Sequence, residues 1–199
     1  MEKSFIEQTI QANVIDIQGQ IADACALVGR KEDDVRLLAV TKTMDPERIN
    51  AALRTGIKQI GENRVQEFLG KRDALHLDGV EAHLIGHLQT NKVRQIVGQV
   101  QMIQSVDSLR LAQAISRRSE ELGIVTNVLV EVNIGGEEAK SGIEPFELES
   151  LLEEIAPLSG VRVKGLMTVP PILREEYEKR QIFSKMFQLF VDMRDKKIR

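Results

Sequence analysis

Residues 35–56 read VRLLAVTKTMDPERINAALRTG. The apolar run Val35–Val40 is short and predicts a strand. Asp45-Pro46 supplies a side-chain acceptor and a ring preset to helical φ, so a helix starts there. Ile49, Ala52 and Leu53 give that helix one apolar face, and Gly56 ends it. A strand, a short turn and a helix make one βα unit, and the rest of the chain repeats it.

Towards the C-terminus, Lys58–Gly61 (KQIG) predicts a second strand, with a helix carrying Val65, Phe68 and Leu69. Ala82–Gly86 (AHLIG) is a third, followed by a helix through Val93, Ile96 and Val97. Val100–Ser105 is a fourth. Asp107-Ser108 caps a helix with Leu111, Ala112, Ile115 and Leu122, closed by Gly123. Thr126–Asn133 (TNVLVEVN) is the clearest strand, rich in β-branched residues. Pro145 opens a helix running to Ile155, and Val161–Val169 is the sixth strand. Tyr177–Lys196 is a last helix, striped by Ile182, Phe183, Met186, Leu189, Phe190 and Met193. Towards the N-terminus, residues 5–28 form a leading helix, its stripe Ile6, Ile10, Val14, Ile17, Ile21, Cys25 and Val28, stopped at Gly29. No linker or low-complexity stretch interrupts the pattern. The reading is a single domain, 1–199, with a leading helix in 1–30 and βα units one to six in 35–199. Strict alternation means a parallel α/β sheet with right-handed crossovers, either doubly wound or closed as a barrel.

Composition narrows the function. The chain has 27 basic and 30 acidic residues, net −3, which leaves no basic footprint for nucleic acid. Six Phe, one Tyr and no Trp make a base-stacking platform implausible. The single Cys25 excludes an internal disulfide and a cysteine zinc cluster. No apolar run is long enough to span a membrane, and Met1–Gln11 lacks a signal-peptide core, so a cytoplasmic location is expected. There is no GxGxxG after the first strand, no GxxxxGK[ST], no HExxH and no GxSxG.

In either architecture, active sites lie at the carboxyl ends of the strands. The candidates there are Lys42; Glu62 and Asn63; His83, His87, Gln89, Asn91 and Lys92; Ser105 and Asp107; Asn133, Gly135, Gly136, Lys140 and Ser141; Met167 and Thr168. His83 and His87 straddle a strand end, a poor arrangement for a metal. Lys42 stands out. An amine at a strand end, if desolvated in a barrel mouth, loses its proton more readily and can form a Schiff base with an aldehyde. On position alone a solvated loop lysine is the favoured reading.

Five segments then carry a resemblance: LLAVTKT at 37–43, GENRVQE at 61–67, HLIGHLQTNK at 83–92, VEVNIGGEEAKSG at 130–142 and GLMTVPP at 165–171. In this order and spacing the chain, from about residue 30 onward, resembles the pyridoxal phosphate homeostasis proteins. That family is similar to the N-terminal (β/α)8 TIM barrel of alanine racemase. The resemblance implies pyridoxal 5′-phosphate (PLP) as cofactor, held on Lys42, with Asn63, His83 and Met167 lining its pocket and Lys140 taking part in cofactor handling. Asn63 reads alternatively as a helix cap, His83 as a satisfied core histidine and Met167 as plain core. Ala82, Arg64 and Met44 depart from the family's usual Trp, Tyr and second Lys. The family also continues into a seventh strand with a phosphate-binding Ser/Gly motif and an eighth with an arginine facing the pyridine nitrogen. Only six units are evident here, so the expectation is a weak hold on PLP or none, and a missing segment of roughly 25–35 residues.

The resemblance implies a protein that carries or buffers PLP for vitamin B6 homeostasis, with PLP-dependent apoenzymes as recipients and no classical turnover. The expected partners include no nucleic acid and no membrane, and the expected state is a monomer. The alternative is a PLP-dependent racemase-like enzyme. That needs a second acid/base opposite Lys42, and neither Tyr177 on the last helix nor Cys25 on the leading helix is placed for it. A barrel in which Lys42 is incidental is the third reading.

Overall fold

The computed structural model describes residues 2–137 and 141–196. The elements are α1 (Glu2–Leu27), β1 (Leu38–Val40), α2 (Pro46–Arg54), β2 (Gln59–Glu62), α3 (Val65–Lys71), β3 (Glu81–Leu84), α4 (Val93–Ile96), β4 (Met102–Val106), α5 (Leu109–Glu121), β5 (Thr126–Glu131), α6 (Leu148–Ile155), β6 (Val161–Met167) and α7 (Glu176–Asp195). The strands form one six-stranded sheet in sequence order, β1-β2-β3-β4-β5-β6. The α/β alternation is the one the sequence predicts. The order is linear, and the described strands do not close into a ring. The chain divides into two compact units, Met1–His83 and Leu84–Arg199.

In the first unit, Asp45 caps α2 as expected, its carboxylate accepting from the Arg48 N–H at 2.9 Å, and Pro46 opens the helix. α1 packs against α2. Its buried stripe is narrower than the sequence pattern: Val14 and Cys25 are buried, Ile6, Ile10 and Ile21 half-buried, but Ile17 and Val28 face outward. β1 is also shorter than expected. Val35 follows a single 3-10 turn at Glu32–Asp34 and is exposed, so the apolar run begins before the ladder does. β1 and β2 are parallel, with Leu38 opposite Gln59 and Val40 opposite Gly61. Ile49, Ile60, Val65 and Phe68 fill the layer between strands and helices. Each such side chain contributes about 1.5–3 kcal/mol on burial.

In the second unit, Ser108 caps α5 through the Leu111 N–H at 3.4 Å, and Gly123 leaves the helix with φ +67°. Leu111, Ala112 and Ile115 are buried, while Leu122 is exposed. β5 lies between β4 and β6, parallel to both. Its Val128 and Val130 are fully buried, as are Ile103 and Val106 of β4. No residue of α7 is buried. Its predicted stripe is half-buried at Ile182, Met186, Leu189 and Met193 and exposed at Phe183 and Phe190.

Candidate functional site

Lys42 stands in the turn leaving β1. It lies two residues past Val40, and Asn63 lies two residues past Gly61, the partner of Val40 in the parallel register. The side chain of Lys42 is exposed rather than desolvated, as are its neighbours Thr43 and Met44. Its amine has no ion-pair or hydrogen-bond partner among the described residues. Asn63 is half-buried, and its amide likewise makes no hydrogen bond among the described residues. It does not cap α3. Arg64 occupies that position, and no side chain bonds there.

The turn that holds Lys42 is tied down from one side by a buried lysine. Lys71, the last residue of α3, is 8% exposed and pairs with Glu62 of β2, which is 1% exposed. Its ammonium also donates to the Thr41 carbonyl at 2.8 Å and the Met44 carbonyl at 3.4 Å, and lies 3.1 Å from Glu67 Oε1. Thr41 is buried; its hydroxyl reaches Glu62 Oε1 at 2.5 Å and its N–H donates to Gly61 O at 2.9 Å. Glu67 accepts from the Thr43 N–H. That bond, followed by the contact with Lys71, keeps the Glu67 carboxyl below the usual range. Thr43 itself has φ +62° and is the one non-glycine residue with positive φ among those described. A β-branched residue there costs roughly 1–2 kcal/mol and persists only where its surroundings fix it. The sequence reading named Glu62 at this strand end but missed Lys71 and Glu67. They join residues 20–30 positions apart, and no periodicity records that.

His83 is buried on β3, with Nε2 3.5 Å from Glu81 Oε2, and Glu81 accepts from Gln59 Nε2 at 2.7 Å. Burial lowers the His83 pKa, Glu81 opposing it, so the ring is neutral at pH 7. Gln59 and Glu81 are the first residues of their strands. Their contact with His83 is thus made at the amino ends, the edge away from Lys42. Each strand residue advances about 3.3 Å, which sets Gln59 roughly four steps below Asn63.

In the second unit, Met167 ends β6, half-buried and level with Glu131, the last residue of β5. Glu131 is buried, and its carboxyl is pushed above the usual range by burial and by the Asp107 charge, with His87 opposing. His87 Nδ1 lies 3.2 Å from Asp107 Oδ2. Ser105 donates to Gly86 O at 2.7 Å, tying the end of β4 to the turn after β3. Glu131 was absent from the sequence candidates because it sits inside the strand pattern. The motif at 130–142 has a steric need for its last glycine: Gly142 has φ +108°, and a Cβ there would lie 2.7 Å from Asn133 N. Lys140 lies outside the described residues. No group of His, Cys, Asp or Glu among the described residues is arranged to hold a metal ion. No described helix is long and apolar enough to cross a membrane.

Comparison with known proteins follows this geometry. Residues 17–198 match the family described as alanine racemase, N-terminal domain. A pyridoxal phosphate homeostasis protein of Aquifex aeolicus is 46% identical over 170 residues, covering 85% of this chain and 75% of the relative. Among solved structures, an unknown protein from Bifidobacterium adolescentis superposes with a TM-score of 0.87 at 37% identity, covering 92% of this chain and 78% of that one. PipY of Synechococcus elongatus PCC7942, solved with PLP bound, gives a TM-score of 0.76 at 30% identity, covering 88% and 82%. The fold is therefore the α/β barrel type of the alanine racemase N-terminal domain, and the chain belongs to the pyridoxal phosphate homeostasis protein family.

Proposed function

We propose that this protein binds PLP and carries or buffers it for vitamin B6 homeostasis, holding it as a Schiff base on Lys42. The observation that carries the reading is the Lys42 amine, exposed and without a partner among the described residues, on a fastened turn at a parallel strand end. The family's relatives are named for pyridoxal phosphate homeostasis, and PipY was solved with PLP bound.

The residues fit the cofactor's chemistry. PLP supplies an aldehyde, a phenolic oxygen and a phosphate. A primary amine without an internal partner is the group that captures an aldehyde. The Asn63 amide, at the end of the neighbouring strand and without a hydrogen bond among the described residues, offers a donor and an acceptor to a ring substituent. The family resemblance offers Met167 as a further candidate for cofactor contact and Lys140 for cofactor handling. His83 is the weakest of the set, since its ring is already engaged with Glu81.

The role is storage and delivery rather than turnover. A racemase needs a second proton-transfer group beside the lysine. The single Tyr177 is on exposed α7 and accepts from Gln181 at 2.7 Å. The single Cys25 is a buried core residue of α1. The cytoplasm, with PLP-dependent apoenzymes as recipients and a monomeric state, completes the proposal.

The test is spectroscopic. Protein mixed with PLP develops a visible absorption band distinct from free PLP, and Lys42→Ala abolishes it. An unchanged band in the variant refutes the lysine assignment. Sustained amino-acid racemisation above the rate of free PLP refutes the carrier role.

A further inference from the structure

We propose that Glu67, tied in place by Lys71, is a positioning residue for Lys42: it fixes the Lys42–Thr43 peptide so that the amine is presented in one orientation. This rests on the reading of Lys42 as the PLP-holding lysine.

An ammonium has three donors. Lys71 turns them towards Glu62, Glu67 and the carbonyls of Thr41 and Met44. Those two carbonyls bracket residues 42 and 43. Within the bracket the Thr43 N–H is taken by Glu67, and the Thr43 hydroxyl returns to the Lys42 carbonyl at 2.6 Å. Thr43 holds φ +62° as a result, a conformation a β-branched residue does not keep unaided. None of these groups hydrogen-bonds to or pairs with the Lys42 amine. They act on its backbone. A lysine that only filled space beneath α3 would need Glu62 alone, and would have no reason to hold both ends of the Lys42 turn.

Attachment at Lys42 has demanding geometry. The ammonium gives a proton to solvent, the amine nitrogen bonds to the aldehyde carbon, and the carbonyl oxygen leaves as water with the two remaining amine hydrogens. The nitrogen lone pair must meet the carbonyl carbon, so a wandering turn slows the step without changing the amine itself.

The experiment uses the full chain and PLP as probe. Aliquots are reduced with borohydride at timed intervals, and the modified lysines are mapped by mass spectrometry. In Glu67→Ala the labelling rate at Lys42 falls about tenfold, while labelling of other surface lysines in the same digest is unchanged. Glu67→Gln recovers most of the rate, because its amide oxygen still accepts from Thr43. Thr43→Gly, which loosens the turn and leaves Glu67 and Lys71 intact, is also slowed, and serves if Glu67→Ala folds poorly. A wild-type rate at Lys42 in Glu67→Ala overturns the proposal, as does a loss shared equally by all lysines. Absence of Lys42 labelling in the unmodified protein overturns the PLP-lysine reading beneath it instead.

Discussion

Lys71→Met tests the buried network directly. The substitution keeps most of the side chain's volume and removes its charge, so cavity formation contributes little. Glu62, 1% exposed, then loses its cation. The Thr41 hydroxyl still donates to Oε1, but Glu62 Oε2 already has no hydrogen-bond partner, so no spare donor replaces the ammonium. Removing one partner of a buried ion pair costs about 3–5 kcal/mol. A domain of ordinary stability has about 5–15 kcal/mol in total, so a third or more is at stake. Replacing the pair with apolar residues is far less costly than breaking it. Lys71→Met/Glu62→Leu is therefore expected to recover most of what Lys71→Met loses. Urea denaturation at pH 7, followed by circular dichroism, measures both. A Lys71→Met loss below about 1 kcal/mol, with the double variant worse than the single, refutes the buried pair as the holder of this turn.

Two further substitutions address the second unit. Gly160→Ala puts a Cβ 2.2 Å from the Ser116 carbonyl oxygen of α5, where only backbone can yield; a loss of about 1–3 kcal/mol in thermal or urea unfolding is expected. Glu131→Gln tests pH linkage. Because the folded-state pKa of Glu131 is raised, its burial is harmless below the unfolded value near 4.5 and costs stability as pH rises above it. Glu131→Gln should thus gain stability relative to the unmodified protein at pH 8 and lose that gain at pH 4. A gain of the same size at both pH values contradicts the assignment.

Much of the fold can be read from local signals. Asp45-Pro46 and Ser108 mark helix starts because a cap is a contact over three residues. The six strands fall within the apolar runs, with ends displaced by a few residues. Val35 is the instructive miss, since hydrophobicity alone does not say where pairing begins. Ile17 and Val28 fit the helical period of α1 yet face outward, because a period gives a stripe and not its width. At the site, Lys42 was legible as a strand-end lysine and became specific only with its motif. Its exposure is the solvated-loop outcome that position alone suggests, whereas its fastening by Lys71 and Glu67 leaves no local signal. Those contacts join α3 to the turn after β1 across long sequence separations, and a linear pattern carries no trace of them.

The central claim is that PLP is held on Lys42, and its most direct measurement is a site map. Unmodified protein is saturated with PLP, reduced with borohydride, digested and analysed by mass spectrometry. The account predicts that the pyridoxyl phosphate group is found predominantly on the peptide containing Lys42, well above the labelling of any other lysine. Modification spread evenly over surface lysines, or concentrated on a lysine other than Lys42, contradicts it.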